Sequence, residues 1–222
     1  TLFMVLLAVY NVFLSKICRQ ENIVVGVPIA GRKHADLDNI IGIFVNTLAL
    51  RNEPRGERSF KEFLISVKKR TLEAFENQDY QFEDLVANVL VDRDAGRNPV
   101  FDVMFTSNNW GKPLEKPLEN EINKLNLETM EYKTSRFDLI LHSFEREETI
   151  GFMFEYSTNL YKKETIERFA AYLKKVVSSI VNNPGIKISK IEIISEEEKG
   201  KLIQKIRKKK SKIIVELAER NK

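Results

Sequence analysis

Apolar residues recur every three or four positions in several parts of the chain, and this spacing predicts amphipathic helices. The predicted helices span residues 1–19, 60–77, 82–91 and 163–181. The first is apolar on most sides, so we expect it to lie beneath other layers. The 82–91 helix is expected to bury Phe82, Leu85, Val86 and either Val89 or Leu90. Ser59 with Glu62, and Ser195 with Glu198, have capping-box spacing, so each serine should start a helix.

Runs of β-branched and aromatic residues predict strands. These strands lie at residues 23–27, 41–51, 100–106, 125–132, 137–146 and 149–157. The last two should form a hairpin that turns at Glu147–Glu148. Ile41–Arg51 is apolar on both alternating faces, which predicts an interior strand covered on both sides. Strands mixed with paired helices predict an α/β or α+β fold, with one mixed β-sheet and helices packed against it.

Two polar loops adjoin these strands and offer places for functional groups. The loop at residues 29–39 contains Arg32 and His34. His34 is either a catalytic base in a cleft or part of an ordinary surface loop. The loop at residues 92–99 contains a glycine and a proline, so it either holds functional groups rigidly or is a simple surface turn. A third polar segment, residues 109–121, is expected to cross the surface or a partner element.

Three single residues stand out within the predicted elements. Asn46 interrupts an apolar strand, and a buried amide must either brace a neighbouring loop or face a cavity. His142 lies in the predicted hairpin, where a structural role is expected. Cys18 is the sole cysteine, which excludes an internal disulfide and a multi-cysteine metal site. Its thiol is expected to pack on the first helix without a partner to activate it.

The composition, 43% hydrophobic and 31% charged, is typical of a soluble globular protein. The net charge of +4 is concentrated between Lys201 and Lys212. No aromatic residues interleave this run, which favours a solvated face over a nucleic-acid or lipid site. No stretch reaches the roughly 18 apolar residues of a membrane span, and residues 1–14 lack signal-peptide features. We expect a cytoplasmic protein without nucleic-acid or membrane partners, cut from a longer chain because it starts with Thr1.

Sequence motifs give no sign of a bound cofactor or metal. The chain contains no GxGxxG, Walker or GxSxG motif, and neither histidine has metal-ligand spacing. We therefore expect this chain itself to bind no cofactor.

Three ordered stretches resemble motifs of the condensation domains of nonribosomal peptide synthetases. Residues 41–51, IGIFVNTLALR, resemble the motif IGxFVNTxxxR. Residues 77–83, NQDYQFE, are similar to HQDYPFE, and residues 93–100, RDAGRNPV, are similar to RDxSRNPL. The loop at residues 26–37, GVPIAGRKHADL, also resembles the family. The likeness runs from residue 1 to about residue 200.

The chain departs from the family pattern at several positions. Asn77, Gln81, Gly96 and Val100 stand where the family has His, Pro, Ser and Leu. Without the proline, the start of the following helix should be less rigid. The family's catalytic HHxxxDG motif, which belongs to an N-terminal lobe, does not occur in this sequence. The resemblance is therefore to the C-terminal lobe alone, at residues 1–194, with residues 195–222 as a charged helical tail or linker.

The resemblance implies a chloramphenicol-acetyltransferase-like lobe that forms one wall of a tunnel. In the family, donor and acceptor peptidyl carrier proteins deliver phosphopantetheine-bound groups to the two mouths of the tunnel. An acceptor amine attacks a donor thioester there, so the enzyme class is amide-bond-forming acyl transfer. The implied partners are the N-terminal lobe, the two carrier proteins and an adjacent adenylation domain. The lobe is expected to be inactive alone and to self-associate through an exposed apolar face.

The resemblance also nominates residues that line the tunnel or brace it. They are Arg32, Gly42, Phe44, Asn46, Thr47, Arg51, Gln78, Asp79, Phe82, Glu83, Arg93, Arg97, Asn98, Pro99 and Asn108. Arg93 and Arg97 could instead pair with acids on the helices at 60–91. The loop at 26–37 and the segment at 109–121 are expected to cross to the other lobe. The alternative function is a non-catalytic module that binds carrier proteins or a partner chain. The motifs favour condensation over epimerisation and leave open which amino acids are joined.

Overall fold

The structure is a computed structural model, and it describes residues 1–37, 39–89, 97–108, 135–145, 149–195, 198–200 and 204. The helices are α1 (Leu2–Cys18), α2 (Phe60–Glu76), α3 (Phe82–Asn88) and α4 (Lys163–Asn182). The strands are β1 (Ile23–Ile29), β2 (Asn46–Asn52), β3 (Val103–Asn108), β4 (Leu139–Glu145) and β5 (Ile150–Tyr156). Short 3₁₀ helices lie at Ala35–Leu37 and Ile188–Lys190.

The strands form one five-stranded mixed sheet in the order β2-β1-β3-β4-β5. Strand β1 is antiparallel to β2 and parallel to β3, while β4 is parallel to β3 and antiparallel to β5. A mixed sheet with helices packed against it confirms the predicted fold class.

The main core lies between the sheet and helices α1, α2 and α4. Helix α1 is central, because Leu7, Tyr10 and Phe13 have no solvent-accessible surface. Phe13 contacts Phe154 of β5 and Phe169 of α4, with ring centroids 5.8 and 5.7 Å apart. Burial also raises the pKa of the Tyr10 hydroxyl well above its usual value. These contacts confirm that α1 lies beneath other layers.

The opposite side of the sheet, here called the open face, carries a much smaller cluster. Because strand residues alternate between faces, its positions follow from the register. They include Val24, Gly26, Ala49, Met104, Thr106, Ile140, His142, Met153 and Glu155. Phe101, Met104 and Ile140 are buried there, with Phe82 and Phe137 packed around them.

The predicted interior strand Ile41–Arg51 is wrong in both extent and position. Strand β2 begins only at Asn46 and lies at the edge of the sheet that the described strands form. Its neighbour β1 ends at Ile29, which pairs with Asn46, so residues 41–45 continue past the last pairing position. Ile41 and Ile43 are fully exposed, with relative accessibilities of 102% and 96%. An apolar run predicts burial against something, but it does not show whether the covering layer lies within the same chain.

The predicted 82–91 helix is shorter and less buried than expected. Helix α3 ends at Asn88, and none of its residues is fully buried. Phe82, Leu85 and Val86 are half-buried, while Val89 is 43% exposed. The reason is position, because α3 lies beside the edge strand β2 and outside the main core. Leu90 lies outside the described residues.

Other expectations differ by small shifts or fall where the structure is not described. Strand β3 starts at Val103 and not at Val100, and the Ser59 and Ser195 capping boxes are both present. Three predicted features lie outside the described residues: the 125–132 strand, the 109–121 segment and the turn at 147–148. Of the 195–222 tail, the structure describes only residues 195, 198–200 and 204. No helix in the described part is long and apolar enough to cross a membrane.

Candidate functional site

The side-chain amide of Asn46 connects the first motif to the second. It also uses all of its hydrogen-bonding capacity. Its Nδ2 donates to the carbonyl oxygens of Gln78 and Tyr80, both at 2.9 Å. Its Oδ1 accepts from the backbone N–H of Thr47 at 2.8 Å and of Phe82 at 3.1 Å. The side chain is buried and has two donors and two acceptor lone pairs, all of them used. Of the two predicted roles, the structure therefore selects the bracing one.

Phe82 connects the second motif to Phe101, the residue directly after the third motif. Their ring centroids lie 5.4 Å apart, and Phe101 also stacks on Phe137 at 5.6 Å. Phe101 lies against Gly26 of β1, where a built Cβ atom would come within 2.1 Å of the ring. Glycine at this position is what allows the segment after Pro99 to lie flat on the sheet.

The loop at residues 30–45 is held together by its own side chains. Gly31 has a φ of 66°, and an added Cβ would lie 1.8 Å from the Phe44 carbonyl oxygen, so only glycine fits. The Arg32 guanidinium lies 4.4 Å from the centre of the Phe44 ring and donates to the carbonyls of Leu37 and Ile40. Gly42 is exposed beside the same ring. These contacts hold the described part of the loop together.

An ion pair joins this loop to the joint between α2 and α3. Lys33 Nζ bonds Asp79 Oδ2, and the Asp79 side chain is 80% exposed. An exposed pair of this kind contributes little stability. Gln78 donates from Nε2 to the Phe75 carbonyl, and Glu83 is exposed in the first turn of α3. His34 is exposed at the surface of the loop, where it has no orienting partner among the described residues.

Arg51 lies apart from the other motif residues, at the far end of β2. Its Nε donates to Asn22 Oδ1 at 2.8 Å, and its carbonyl accepts from Arg70 of α2. Arg70 also bonds Glu53, and together with Arg55 it holds the pKa of the Glu53 carboxyl below its usual value. Arg51 is therefore part of a surface network and is not near the loops.

The third motif is described only from Arg97 onward. Asn98 Nδ2 donates to the Arg136 carbonyl at 3.4 Å, and Pro99 is half-buried. Burial and the neighbouring Asp102 raise the pKa of Asp138, while the charge of Arg97 opposes that rise. The Arg97 charge thus acts on Asp138 at the start of β4. Arg93 and the side chain of Asn108 lie outside the described residues.

The open face also carries a group of hydrogen-bonded polar side chains, and the sequence does not predict that they come together. His142 Nδ1 lies 2.8 Å from Thr106 Oγ1, and His142 Nε2 lies 3.2 Å from Glu155 Oε2. Ser135 Oγ donates to Glu155 Oε1 at 3.0 Å. Of these residues, the sequence predicts a role only for His142, and that role is structural. Alternation along β4 and β5 was a usable signal, but the parallel pairing of Thr106 with His142 joins strands far apart in sequence.

Cys18 and metal chemistry add nothing to the site. Cys18 is the last residue of α1 and is exposed, not packed on the helix as predicted. Partial burial nevertheless raises the pKa of its thiol, which disfavours the reactive thiolate. Within the part of the chain that the structure describes, no cluster of three metal-ligating side chains occurs.

The comparisons with known proteins agree on one family. The family model of the condensation domain matches residues 1–203. Gramicidin S synthase 2 of Aneurinibacillus migulanus is 50% identical over 205 residues, which cover 91% of this chain and 4% of that protein. The chain therefore spans only a small part of the synthetases that it matches.

Solved structures give the same fold at lower sequence identity. A four-domain nonribosomal peptide synthetase in its holo form, bound to AMP and glycine, matches with a TM-score of 0.75 and 23% identity. That match covers 90% of this chain and 16% of the synthetase. The condensation domain of the monacolin K polyketide synthase matches with a TM-score of 0.66 and 17% identity, over 83% of this chain and 42% of that one. The chain thus shares the chloramphenicol-acetyltransferase-like fold of these structures. Because the family model matches residues 1–203, the chain belongs to the condensation-domain family of nonribosomal peptide synthetases.

Proposed function

We propose that this chain is the C-terminal lobe of a condensation domain and forms one wall of the tunnel in which an amide bond is made. In that reaction, an acceptor aminoacyl nitrogen attacks the carbonyl carbon of a donor thioester. The carbon–nitrogen bond forms, the carbon–sulfur bond breaks, and the donor thiol is released. The wall contributes mainly by holding two tethered groups in reacting geometry, which can lower a barrier by several kcal/mol.

The observation that carries this proposal is the one-sided layering of the described residues. Helices α1, α2 and α4 pack on one face of the sheet, while the three motifs gather around the other face and the β2 edge. Ile41, Ile43 and Val45, in the loop that leads into the edge strand β2, have relative accessibilities of 102%, 96% and 63%. Contiguous exposed apolar residues of this kind mark an interaction surface. A second lobe seated on this side would cover them.

Chain length and histidine content support the same assignment. The chain covers 42% of the solved monacolin K condensation domain, which is about what one of two similar lobes would cover. Its two histidines are His34 and His142, so these 222 residues contain no HHxxxDG motif. We therefore expect no amide formation by this chain alone.

Nine of the candidate residues fall into two groups under this proposal. Asn46, Gln78, Phe82 and Pro99 brace the motif loops against one another. The surfaces left for the tunnel wall or for the opposite lobe are formed by others, namely Arg32, Gly42, Phe44, Thr47 and Asp79. Donor and acceptor carrier proteins would bring the phosphopantetheine groups, and an adenylation domain would adjoin residues 195–222. This chain itself would bind no cofactor.

An amide-formation assay with loaded donor and acceptor carrier proteins tests the proposal. It compares the 222-residue chain alone with the same chain fused to the polypeptide encoded directly upstream. We expect product only from the fused protein, and none when the histidines of its HHxxxDG motif are replaced by alanine. Product from the chain alone would contradict the proposal and direct attention to His34 and His142. A folded fusion that makes no product but binds carrier proteins would instead favour a non-catalytic binding module.

A further inference from the structure

A hydrogen-bonded chain of four polar side chains crosses strands β3, β4 and β5 on the open face. Ser135 bonds one oxygen of Glu155, and His142 bonds the other, at 3.0 and 3.2 Å. His142 is bonded in turn to Thr106 at 2.8 Å. None of these four residues is among the candidate residues of the three motifs. Each of these hydrogen bonds must have one donor and one acceptor.

The proton positions follow from the acceptor-only carboxylate of Glu155. An ionised carboxylate can only accept, so His142 Nε2 carries the proton that lies toward Glu155. In the neutral ring Nδ1 is then an acceptor, and it receives the hydroxyl proton of Thr106. Ser135 has a single hydroxyl proton, which two acceptors share, the Phe137 carbonyl at 2.8 Å and Glu155 Oε1 at 3.0 Å. For the neutral imidazole, these two neighbours select one tautomer and one orientation of the ring.

The Glu155 carboxylate retains acceptor capacity that no described residue uses. A carboxylate has about four lone-pair sites, and among the described residues only Ser135 and His142 bond it, which occupies at most two of them. The Glu155 side chain is 43% exposed, whereas that of His142 is 16% exposed. An oriented, partly exposed carboxylate with free lone pairs suits a ligand that is cationic and donates hydrogen bonds. A primary ammonium group has both properties.

The surroundings of Glu155 favour an amine that is attached to an apolar group. Phe144 stacks beside the His142 ring with centroids 6.4 Å apart. Met153 pairs with His142 across the β4–β5 hairpin, on the open face, and is 50% exposed. Met153 is two residues from Glu155 on the same face of β5, so an aminoacyl group placed here would set its ammonium on Glu155 and its side chain against Met153, with Phe144 farther along β4.

We propose that Glu155, held in place by His142 and Ser135, binds the α-ammonium group of the acceptor aminoacyl substrate on the open face. The identity of the amine rests on the proposed function, in which this face is a tunnel wall. Glu155 is the binding residue, and His142 is a positioning residue that acts through it. Thr106 sets the tautomer of His142. Acceptance of an ammonium, and not of a neutral or acylated nitrogen, is the specificity that this site would supply.

Direct binding to the 222-residue chain tests the proposal without any activity readout. The probe is an aminoacyl pantetheine amide with a free α-ammonium, and the comparison probe is its N-acetylated form. Nuclear magnetic resonance of the ¹⁵N-labelled imidazole of His142 reports on the bonded nitrogens during titration. We expect the free-ammonium probe to shift these signals and to bind about tenfold more tightly than the acetylated probe, since hydrogen bonds to charged groups are the stronger class. Equal affinity for the two probes, or no binding of either, would overturn the site.

Isosteric variants separate binding from folding. Glu155→Gln keeps the shape of the side chain, and we expect it to weaken the free-ammonium probe about tenfold. His142→Leu removes both bonds and should weaken binding to a similar extent, whereas His142→Gln can still donate to Glu155 and should restore most of the affinity. Glu145→Gln removes the same charge from the exposed end of β4, at a position that alternation places on the helix side, and should change nothing. Unchanged affinity in folded Glu155→Gln would refute the assignment.

The site and the proposed function fail separately. Amide formation by the fused protein, with no preference for the ammonium probe, would overturn the site and leave the function standing. Ammonium binding that depends on Glu155, with no product from the folded fusion, would overturn the function and leave the site standing.

Discussion

Asn46 shows how one side chain can connect segments that are distant in sequence. Its four hydrogen bonds reach the Thr47 backbone and the joint between α2 and α3, more than 30 residues away. The sequence identified this residue because an amide in an apolar run must find partners. It did not identify the partners, because the backbone groups at Gln78, Tyr80 and Phe82 carry no sequence signal.

Replacement of Asn46 by alanine should destabilise the fold by about 2–4 kcal/mol, because it leaves several buried backbone groups without partners. Urea denaturation measures the change, and hydrogen exchange at the Phe82 N–H should accelerate. Asn77→Ala is the matched control, since Asn77 is exposed and bonds only the Glu73 carbonyl through its side chain. That control should cost less than about 1 kcal/mol. Similar losses in the two variants would contradict the bracing role.

Gly26 is a second residue whose role depends on a distant contact. A methyl group here would overlap the Phe101 ring, so Gly26→Ala should cost about 1–3 kcal/mol by forcing that ring off the sheet. Gly151→Ala, on strand β5, has its nearest neighbour at 3.8 Å and should stay within about 0.5 kcal/mol of the native protein. Thermal or urea unfolding compares the two. An equal effect would mean that Phe101 does not rest on β1.

At the scale of elements, helix spacing and capping signals were dependable guides. Helices α1, α2 and α4 begin and end within two residues of their predicted bounds. Each has a continuous apolar stripe, which sequence periodicity detects directly. Helix α3 and strand β2 were less well predicted because their burial depends on where the sheet edge falls. The edge is set by pairing between strands, which local sequence does not encode.

The capping box of α2 makes its stability depend on pH. Hydrogen bonds from the Ser59 hydroxyl and backbone lower the pKa of Glu62 below its usual value of 4.5. The folded form therefore binds this proton less readily than the unfolded form. The contribution is fully present above the usual pKa and is lost as the pH falls through the folded-state pKa. Glu62→Gln should flatten the acid limb of a stability–pH curve, whereas Glu76→Gln on the same helix should not.

The start of α3 offers a test in the stabilising direction. Gln81 stands where the family has proline, yet its φ of −68° is the angle that proline imposes. Its N–H donates no hydrogen bond to a described residue, so Gln81→Pro should raise the free energy of unfolding by about 0.4–1 kcal/mol. Gln81→Ala controls for the loss of the side chain. A destabilised proline variant would show that the joint needs a different backbone conformation.

At the scale of the whole molecule, the fold class and the family were accessible from sequence, whereas the uncovered side was only inferred. Ile41–Val45 was predicted to be buried inside the sheet, and it is exposed beyond the end of β2. The predicted burial and the observed exposure have one cause. These residues are apolar enough to require cover, and no described element of this chain covers them. The Thr106–His142 contact was inaccessible because it depends on strand order, whereas the His142–Glu155 contact lies within the predicted hairpin. Sequence periodicity defines faces along one strand but not which strands become neighbours.

The central claim is that a second lobe covers this exposed side, and calorimetric titration of the 222-residue chain with the polypeptide encoded directly upstream tests it most directly. We predict a one-to-one complex that the Ile41→Ser/Ile43→Ser double variant weakens about a hundredfold, since each isoleucine contributes about 1.5 kcal/mol or more when buried. Both residues are fully exposed in the chain alone, so the variant should unfold at the same urea concentration as the native protein. Ile65→Ser/Leu72→Ser, on the exposed side of α2, should leave the affinity unchanged. No complex, or a complex that both double variants bind equally well, would contradict the claim.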